Sequence, residues 1–171
     1  MRLVELSTIA NIATALAVLT AVVFGLFEMR RARQEREERA AFSAIQAIMT
    51  PAWMKSAALV LAIPEGTSAA QIANDPNLRA AAESIAIILE GIGYSVFLRI
   101  VPISVVDDFV GGATRVAWKK LRPFIELERT RQGTEKSWEW FQWLAEQLER
   151  HGTSRTSLTV GAAVAYKDWK P

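Results

Sequence analysis

The chain has 171 residues, of which 51% are hydrophobic, and its 20 Lys and Arg against 18 Asp and Glu leave a formal net charge of +2. So small a net charge provides no global electrostatic attraction for nucleic acid. The chain contains no cysteine, which excludes thiolate catalysis, iron–sulfur clusters and Cys-ligated zinc, and which fits a reducing compartment.

The first predicted element is a transmembrane helix over the uncharged run from Leu6 to Phe27, within the anchor segment 1–27. A helix rises about 1.5 Å per residue and the hydrocarbon core is about 30 Å thick, so the run is just long enough to cross a bilayer. The alternatives are a buried helix of a soluble protein and a cleaved signal sequence. A signal normally has a shorter apolar region behind a basic start, so the spanning helix is favoured.

Basic residues next to the run predict its orientation. Positive charge close to a span stays on the cytoplasmic side. Arg30, Arg31 and Arg33 follow the run, whereas only Arg2 and Glu5 precede it. We therefore expect the N-terminus outside and the following domain in the cytoplasm, in a bacterial inner membrane. The three arginines are also placed to meet anionic lipid headgroups, as in most stop-transfer segments.

Small residues recur every four positions along the span, at Ala13, Ala17, Ala21 and Gly25. Such a stripe lets a second helix approach closely, and Asn11, two residues before it, can hydrogen-bond across the contact. The alternative is chance, since alanine is common in spanning helices. The pattern predicts a helix–helix interface with another integral membrane subunit or with a second copy of the chain.

The segment 28–39 reads EMRRARQEREER and predicts a charged juxtamembrane helix that continues the span. Opposite charges fall at i, i+4 spacing, as in the pairs Arg31–Glu35 and Glu35–Arg39. The helix is expected to run on through an apolar stretch and to break before Pro51, because proline disfavours helical backbone at the residue that precedes it.

The segment 40–152 predicts a helical domain, since strand signals are nearly absent. We expect an all-α fold in which one N-terminal transmembrane helix extends into a small cytoplasmic domain of about five or six helices. The local signals are an N-cap at Asp75 with Pro76 in the first turn, a capping box of Ser104 with Asp107, a fresh helix start at Pro123, and a stop at Gly133. Thr134 is expected to cap a final helix over 135–150, which Gly152 would end.

Two glycines and the C-terminal segment complete the organisation. Gly91 and Gly93 lie inside a predicted helix with no strand before them, which favours close helix packing over a phosphate loop. The segment 153–171 is poor in helix-forming residues and predicts an extended tail. Its aromatic residues Tyr166 and Trp169 are candidates for contact with a partner protein.

Catalytic and cofactor-binding residues are scarce. The one histidine, His151, lies beside a helix-ending glycine and is expected to be solvated, at the negative end of a helix dipole. The carboxylates Glu83, Glu90 and Asp108 are the remaining catalytic material, and surface solvation or ion pairing explains them more simply. We expect no cofactor and no metal.

The run WEWFQW places three tryptophans on the last predicted helix. Core packing is expected to take most of this cluster and to leave one tryptophan for an interface. Stacking on single-stranded nucleic acid requires a basic groove beside the aromatic rings. Acidic residues surround these tryptophans instead, so nucleic-acid binding is not expected.

The arrangement resembles an uncharacterised bacterial family, the domain of unknown function 4760. The run ILEGIGYSVFLRI and the later SVVDDFVGGATRVAWKKLRPFIELERTR hold the matching residues, which are Glu90, Gly93, Asp108, Gly112, Trp118, Leu121, Pro123, Ile125 and Arg129, followed by Trp138 and Phe141. The resemblance covers about 40–152. The chain departs from the family pattern at Ile88 and Leu89, where aromatic residues are usual, and at Pro102 and Ser104.

The resemblance implies architecture and no established chemistry. Trp118 is expected in the core and Pro123 at a helix junction, while Arg129 can pair with Glu90 and so tie two helices together. The leading hypothesis is a non-enzymatic accessory or scaffolding subunit that docks onto a larger membrane complex. A membrane-tethered sensor that self-associates is the alternative, and an enzyme acting through Glu83, Glu90 or Asp108 is the third.

Overall fold

The computed structural model describes residues 2–154, 167, 168 and 170. For residues 2–10, 12, 37, 41, 47, 153 and 154 only the backbone is described. The predicted partner-binding residues Tyr166 and Trp169 lie outside the described residues. The chain divides into two compact units, Met1–Arg39 and Ala40–Pro171, and each unit is described separately below.

The described residues form helices and no strand, so the predicted all-α fold is confirmed. The helices are α1 (Arg2–Ile48), α2 (Pro51–Ala62), α3 (Ala69–Asn74), α4 (Pro76–Phe97), α5 (Ile103–Val106), α6 (Gly112–Gln132) and α7 (Glu139–Ser154). A π-helical turn, Asp107–Gly111, joins α5 to α6.

The first unit consists of α1 up to Arg39. The stretch Ala13–Gln46 contains a window that is long and apolar enough to cross a membrane, and none of that window is buried. Beyond the apolar part, the Glu35 carboxylate forms ion pairs with the guanidinium groups of Arg31 (3.3 Å) and Arg39 (3.7 Å), as the charge spacing predicts. Exposed pairs of this kind add only a few tenths of a kcal/mol, roughly 0.3–0.5 each, to helix stability.

Local signals start α2 and α4 where the sequence predicts. The Trp53 amide donates to Thr50 Oγ1 (3.2 Å) ahead of Pro51, which lies in the first turn of α2. Asp75 Oδ1 accepts the amide of Asn77 (2.8 Å) and caps α4, which ends at Phe97. These amides have no partner within their own helix, so a side-chain acceptor fixes the first turn.

Helix α4 is the centre of the folded second unit. It packs against α7 and α2, and the large apolar side chains that are fully buried come from α2, α3, α4, α6 and α7: Val60, Ile72, Ile85, Leu89, Leu121, Phe124, Ile125, Phe141, Leu144 and Leu148. By length and composition α4 also resembles a membrane span. Its two flanks are instead covered by neighbouring helices, which makes it the core helix of this unit.

Gly93 is the point of closest approach between α4 and α7. A Cβ at this position would collide with the backbone carbonyl of Trp140 and would lie 3.2 Å from Leu144 Cβ. The prediction of close packing is therefore confirmed for Gly93. It is wrong for Gly91, where a Cβ would meet no described atom within 4 Å because this residue faces away from α7.

The predicted capping box of Ser104 with Asp107 is wrong. Pro102 is the N-cap of α5 and makes no side-chain cap, while Ser104 lies within the helix. Asp107 is unable to cap because its carboxylate bonds to residues far along the chain, described below. The π-helical turn then carries the backbone directly into α6, with Gly111 buried and Gly112 exposed.

Pro123 does not begin a new helix, so its predicted role at a helix junction is wrong. Helix α6 continues through it from Gly112 to Gln132. Proline removes one helical hydrogen bond. Pro123 is exposed, whereas the next two residues, Phe124 and Ile125, are fully buried, and their packing holds the helix together at this point.

The predicted start and end of the final helix also need correction. Gly133 ends α6 in the left-handed conformation (φ 65°), as predicted. Thr134 begins a turn instead of a helix, and α7 starts only at Glu139, after Trp138 with a positive φ of 56°. Gly152 lies inside α7 and is buried, so the helix continues to Ser154.

The two glycines of α4 provide a matched test of this packing. Gly93→Ala should destabilise the folded unit by about 1–3 kcal/mol, because the carbonyl of Trp140 is backbone and cannot yield as a side chain can. Gly91→Ala should stabilise it by up to about 1 kcal/mol through helix propensity. Thermal unfolding in mild detergent, followed by tryptophan fluorescence, measures both changes. Equal effects would contradict the packing.

Candidate functional site

The predicted helix–helix residues are exposed on α1. Asn11, Ala13, Ala17, Ala21 and Gly25 are all exposed, and a Cβ on Gly25 would meet no described atom within 4 Å. Large apolar side chains on the rest of this stretch are also exposed, among them Leu19 (62%) and Phe24 (66%). The stripe therefore has no cover among the described residues, and its role as an interface stays a prediction.

Arg30, Arg31 and Arg33, the predicted headgroup-binding residues, are exposed as well. They follow directly on the apolar part of α1, and Arg31 pairs with Glu35. An arginine in a surface pair keeps donors free to exchange between the carboxylate and other acceptors. Contact of these residues with lipid stays a prediction.

Four aromatic side chains form a continuous surface on the second unit. Tyr94 and Phe97 lie on the last turns of α4, and Trp140 and Trp143 lie on the first turns of α7. We call these four residues the aromatic surface. The centroid of the Trp140 ring is 4.5 Å from that of Phe97, 5.4 Å from that of Tyr94 and 6.0 Å from that of Trp143.

The aromatic surface is packed on itself but left open to solvent. Tyr94 is 48% exposed and Phe97 49%, and both tryptophans are partly buried. Trp138 and Trp143 pack against the hydrophobic core and leave Trp140 outside it, so the expectation that the core takes most of the tryptophan cluster is confirmed. Trp138 stacks on Phe124, with ring centroids 6.1 Å apart, while Trp140 and Trp143 contact Phe97 at the surface.

The apolar surface continues into the turn that follows α4. Leu98 and Ile100 are 46% and 49% exposed, and Arg99 lies between them with a positive φ of 57°. We call Leu98–Ile100 the tip. Amides of the tip donate to α4 carbonyls, that of Arg99 to Val96 O and that of Ile100 to Ser95 O, each at 2.9 Å. The tip is thus a hydrogen-bonded turn with a fixed backbone that nevertheless presents apolar side chains to solvent.

Glu90 holds the start of α7 against α4. Its Oε2 accepts the amide of Phe141 at 2.8 Å, and the amide of Trp140 also donates to this carboxylate. Burial raises the pKa of Glu90 above its ordinary value, although these two amide hydrogen bonds oppose the rise. A carboxylate at a helix N-terminus also interacts favourably with the helix dipole. Glu90 therefore fixes the position of Trp140 within the aromatic surface.

Arg129 does not form the predicted ion pair with Glu90. Its Nε donates to the carbonyl of Ser137 (2.9 Å) and its Nη1 donates to Gln142 Oε1 (2.7 Å). Arg129 is only 8% exposed, and its Nη2 has no hydrogen-bond partner among the described residues. The two residues act on the same target from opposite helices, since Glu90 binds the first amides of α7 and Arg129 binds the turn before it.

Asp107, Arg115 and His151 form a second polar cluster, which the sequence did not predict. Asp107 Oδ1 accepts from Arg115 Nη2 (2.6 Å), and Asp107 Oδ2 lies 2.9 Å from His151 Nδ1. Arg115 Nη2 also donates to the carbonyl of Leu148 (2.7 Å). The expectation of a solvated His151 is therefore wrong, because the π-helical turn brings a carboxylate beneath it. A Cβ on Gly111 would collide with that carboxylate.

The cluster sets the protonation of Asp107. Burial alone would raise the pKa of Asp107, but the hydrogen bonds and charges of His151 and Arg115 outweigh burial and hold its pKa below the ordinary value. The carboxylate is therefore ionised at neutral pH, and it links α7 to the π-helical turn.

The three candidate catalytic carboxylates have separate environments. Glu83 pairs with Arg79 (2.9 Å), Glu90 binds the α7 amides, and Asp108 is exposed. A cavity of about 420 Å³ beside Lys119 and another of about 370 Å³ beside Gly91 are lined by none of the three. Among the described residues, no group of three or more acidic or histidine side chains is placed to hold a metal ion.

Trp118 lies partly buried on α6, where its ring meets that of Phe141 edge-on at 5.3 Å.

Comparison with known proteins yields one family. A family model described as a domain of unknown function, DUF4760, matches residues 15–148, well over half of the chain. The matched region includes Glu90, Trp118 and Arg129 as well as the aromatic surface. No curated protein and no solved structure matches the chain.

Substitutions of Glu90 should separate its charge from its acceptor role. Glu90→Ala leaves two helix amides unpaired and should cost about 1–3 kcal/mol. Glu90→Gln keeps an acceptor oxygen and should stay within about 1 kcal/mol of the wild type at neutral pH. Because the folded pKa of Glu90 is raised, the wild type should lose stability relative to Glu90→Gln as pH rises through the ordinary Glu range. Unfolding midpoints measured from pH 4 to 8 test this, and parallel curves would disprove it.

Asp107→Asn should destabilise the fold at neutral pH by about 1–3 kcal/mol, because it removes the charged partner of Arg115 in a part-buried ion pair. The folded pKa of Asp107 is depressed, so its contribution is present above the ordinary Asp pKa and is lost as pH falls through the folded value. The variant should therefore show a flatter loss of stability in acid. Asp108→Asn, at the exposed neighbour, is the control for melting curves, and a matching loss there would refute the role of Asp107.

Proposed function

This chain belongs to the DUF4760 family of domains of unknown function, and from that premise we propose that it is a single-span membrane protein acting as a non-enzymatic accessory or scaffolding subunit. In this proposal, α1 anchors the chain and docks on helices of a larger membrane protein complex. The second unit then adds a folded interaction domain next to the membrane.

The observation that supports the proposal is the uncovered apolar stretch of α1. Leu16, Leu19, Val22 and Phe24 are each more than half exposed, and the apolar side chains lie on every side of the helix. A helix that is apolar all round is stable when buried in protein or lipid. Lipid is therefore the proposed solvent for this stretch.

Charge supports the orientation that goes with this role. Arg30, Arg31 and Arg33 follow the apolar stretch and would remain on the cytoplasmic side, so the second unit would be cytoplasmic, in a bacterial inner membrane. Each arginine that lies near an anionic surface adds about 1 kcal/mol of attraction. The same residues would thus meet lipid headgroups.

The small-residue stripe supports docking within the membrane. Ala13, Ala17, Ala21 and Gly25 lie on one face of α1, where they leave room for the backbone of a second helix. Asn11 is exposed but lies about 200° around the helix from Ala13, on the same side as Ala15, so its predicted hydrogen bond across this contact is not part of the proposal. A partner subunit is the proposed occupant. A second copy of the chain, as a self-associating sensor would require, is the alternative that the experiment distinguishes.

Filling the stripe should abolish docking. We expect the double variant Ala17→Leu and Ala21→Leu to lose its co-purifying subunit in mild detergent, because the added side chains keep the partner helix at a distance. Ala15→Leu, on the opposite face of α1, adds the same kind of bulk and should retain the partner. Affinity purification from native membranes, with protein identification and light scattering, measures both composition and mass.

The outcomes separate the hypotheses. A wild-type chain that purifies without other proteins would contradict the accessory role. A dimer of the chain that the double variant dissociates would indicate the self-associating alternative. A double variant that keeps its partner as well as the Ala15→Leu control does would show that the stripe is not the contact.

A further inference from the structure

We propose that the aromatic surface and the adjoining tip form a second membrane contact, which inserts into the headgroup region of the bilayer. The inference rests on the proposed membrane anchoring by α1 and names a further lipid-binding site on the second unit. The residues are Tyr94, Phe97, Trp140 and Trp143 on the surface and Leu98, Arg99 and Ile100 in the tip.

The chemistry of the side chains matches the headgroup region more closely than it matches water. Tryptophan and tyrosine combine a large apolar ring with one polar group, and they concentrate at membrane–water interfaces for that reason. The rings of Trp140 and Trp143 contact Phe97, and about half of Phe97 remains exposed. The contacts between the rings hold them in place, and their exposed apolar area is therefore available to the headgroup region without rearrangement.

The tip adds aliphatic side chains and a positive charge at one end of this surface. Leu98 and Ile100 flank Arg99, and all three are exposed. A cation among exposed apolar groups complements lipid phosphate, since the apolar groups enter the interface while the guanidinium binds phosphate oxygens. The hydrogen bonds from the tip to α4 keep these side chains exposed without a change in the backbone.

Attachment to a membrane through α1 makes a modest second contact effective. A linked site encounters its target at high effective concentration, so it needs little intrinsic affinity. The exposed Glu139 beside Trp140 opposes attraction of the aromatic rings themselves to anionic lipid, so Arg99 in the tip is the group that favours lipid phosphate as the occupant. A soluble partner or a second copy of the chain is an outcome that the experiment detects.

The absence of cysteine allows a clean test with the full chain. Leu98→Cys carries a nitroxide label, and the protein is reconstituted at high lipid-to-protein ratio into vesicles of phosphatidylcholine with phosphatidylglycerol. Collision with oxygen, which concentrates in lipid, is compared with collision with a water-soluble nickel chelate. The controls are Phe24→Cys in the apolar part of α1 and Met54→Cys, an exposed apolar residue (63%) on α2.

We expect the label at residue 98 to favour oxygen over nickel by a ratio between those of the two controls, as a position at headgroup depth requires. A ratio equal to that of the Met54 label would overturn the inference. Protection from both reagents together with spin–spin broadening would overturn it in favour of a second copy. If the Phe24 label itself is in water, the proposed anchoring fails first, so the two failures are distinguishable.

The role of charge is tested in the same labelled protein. On anionic vesicles, Arg99→Gln should lower the ratio of membrane-docked to undocked tips about fivefold. This is the change expected when one basic residue near an anionic surface is lost. The shift should vanish on vesicles of phosphatidylcholine alone. Lys55→Gln, which removes one exposed positive charge from α2, is the matched control. An equal effect of both substitutions would overturn the assignment of Arg99.

Discussion

The contact between α4 and α7 at Gly93 determines the geometry of the folded unit. The backbone of Trp140 lies where a side chain at residue 93 would be, so the two helices approach more closely than any other residue would allow. This approach brings the first amides of α7 within reach of Glu90, which accepts two of them. The aromatic surface follows from the same contact, because two of its rings lie on each helix.

Polar groups buried beside this contact specify how α7 is placed. Hydrophobic packing is non-directional, so Phe141, Leu144 and Leu148 alone would tolerate some sliding along α4. Hydrogen bonds prevent such sliding, because Glu90 accepts from particular amides of α7 and Arg129 donates to a particular carbonyl in the preceding turn. At the other end of α7, Asp107 and Arg115 bind His151 and the carbonyl of Leu148. Both ends of the helix are therefore fixed by directional bonds.

The features that the sequence predicts correctly are those decided within a few residues. Asp75 with Pro76 and the left-handed Gly133 are examples, since each cap satisfies amides or carbonyls of its own helix. The sequence predicts a capping box at Asp107 and a helix start at Pro123, and both predictions are wrong because contacts with distant residues decide the roles of these two positions. Gly91 and Gly93 differ only in whether α7 lies beside them, which no local pattern records. The sequence predicts a direct ion pair between Glu90 and Arg129. In the structure Glu90 instead binds the first amides of α7, and Arg129 binds the turn that precedes α7. The aromatic surface was partly foreseeable from WEWFQW, but its other half comes from α4.

Among the described residues, the exposed apolar side chains of α1 differ in kind from those of the aromatic surface and the tip. On α1 the exposed residues are mainly aliphatic and surround the helix, which suits the hydrocarbon core, where the helix satisfies its own backbone. On the folded unit the aromatic surface and the tip include indole and phenol groups next to Arg99, while Met54 and Ile87 are examples of exposed apolar side chains outside this group. Hydrocarbon would leave those polar groups without partners, and water would leave the rings exposed, whereas the headgroup region serves both. Under the proposed anchoring by α1, the hydrocarbon core would be the solvent for α1 and the headgroup region the solvent for the aromatic surface and the tip.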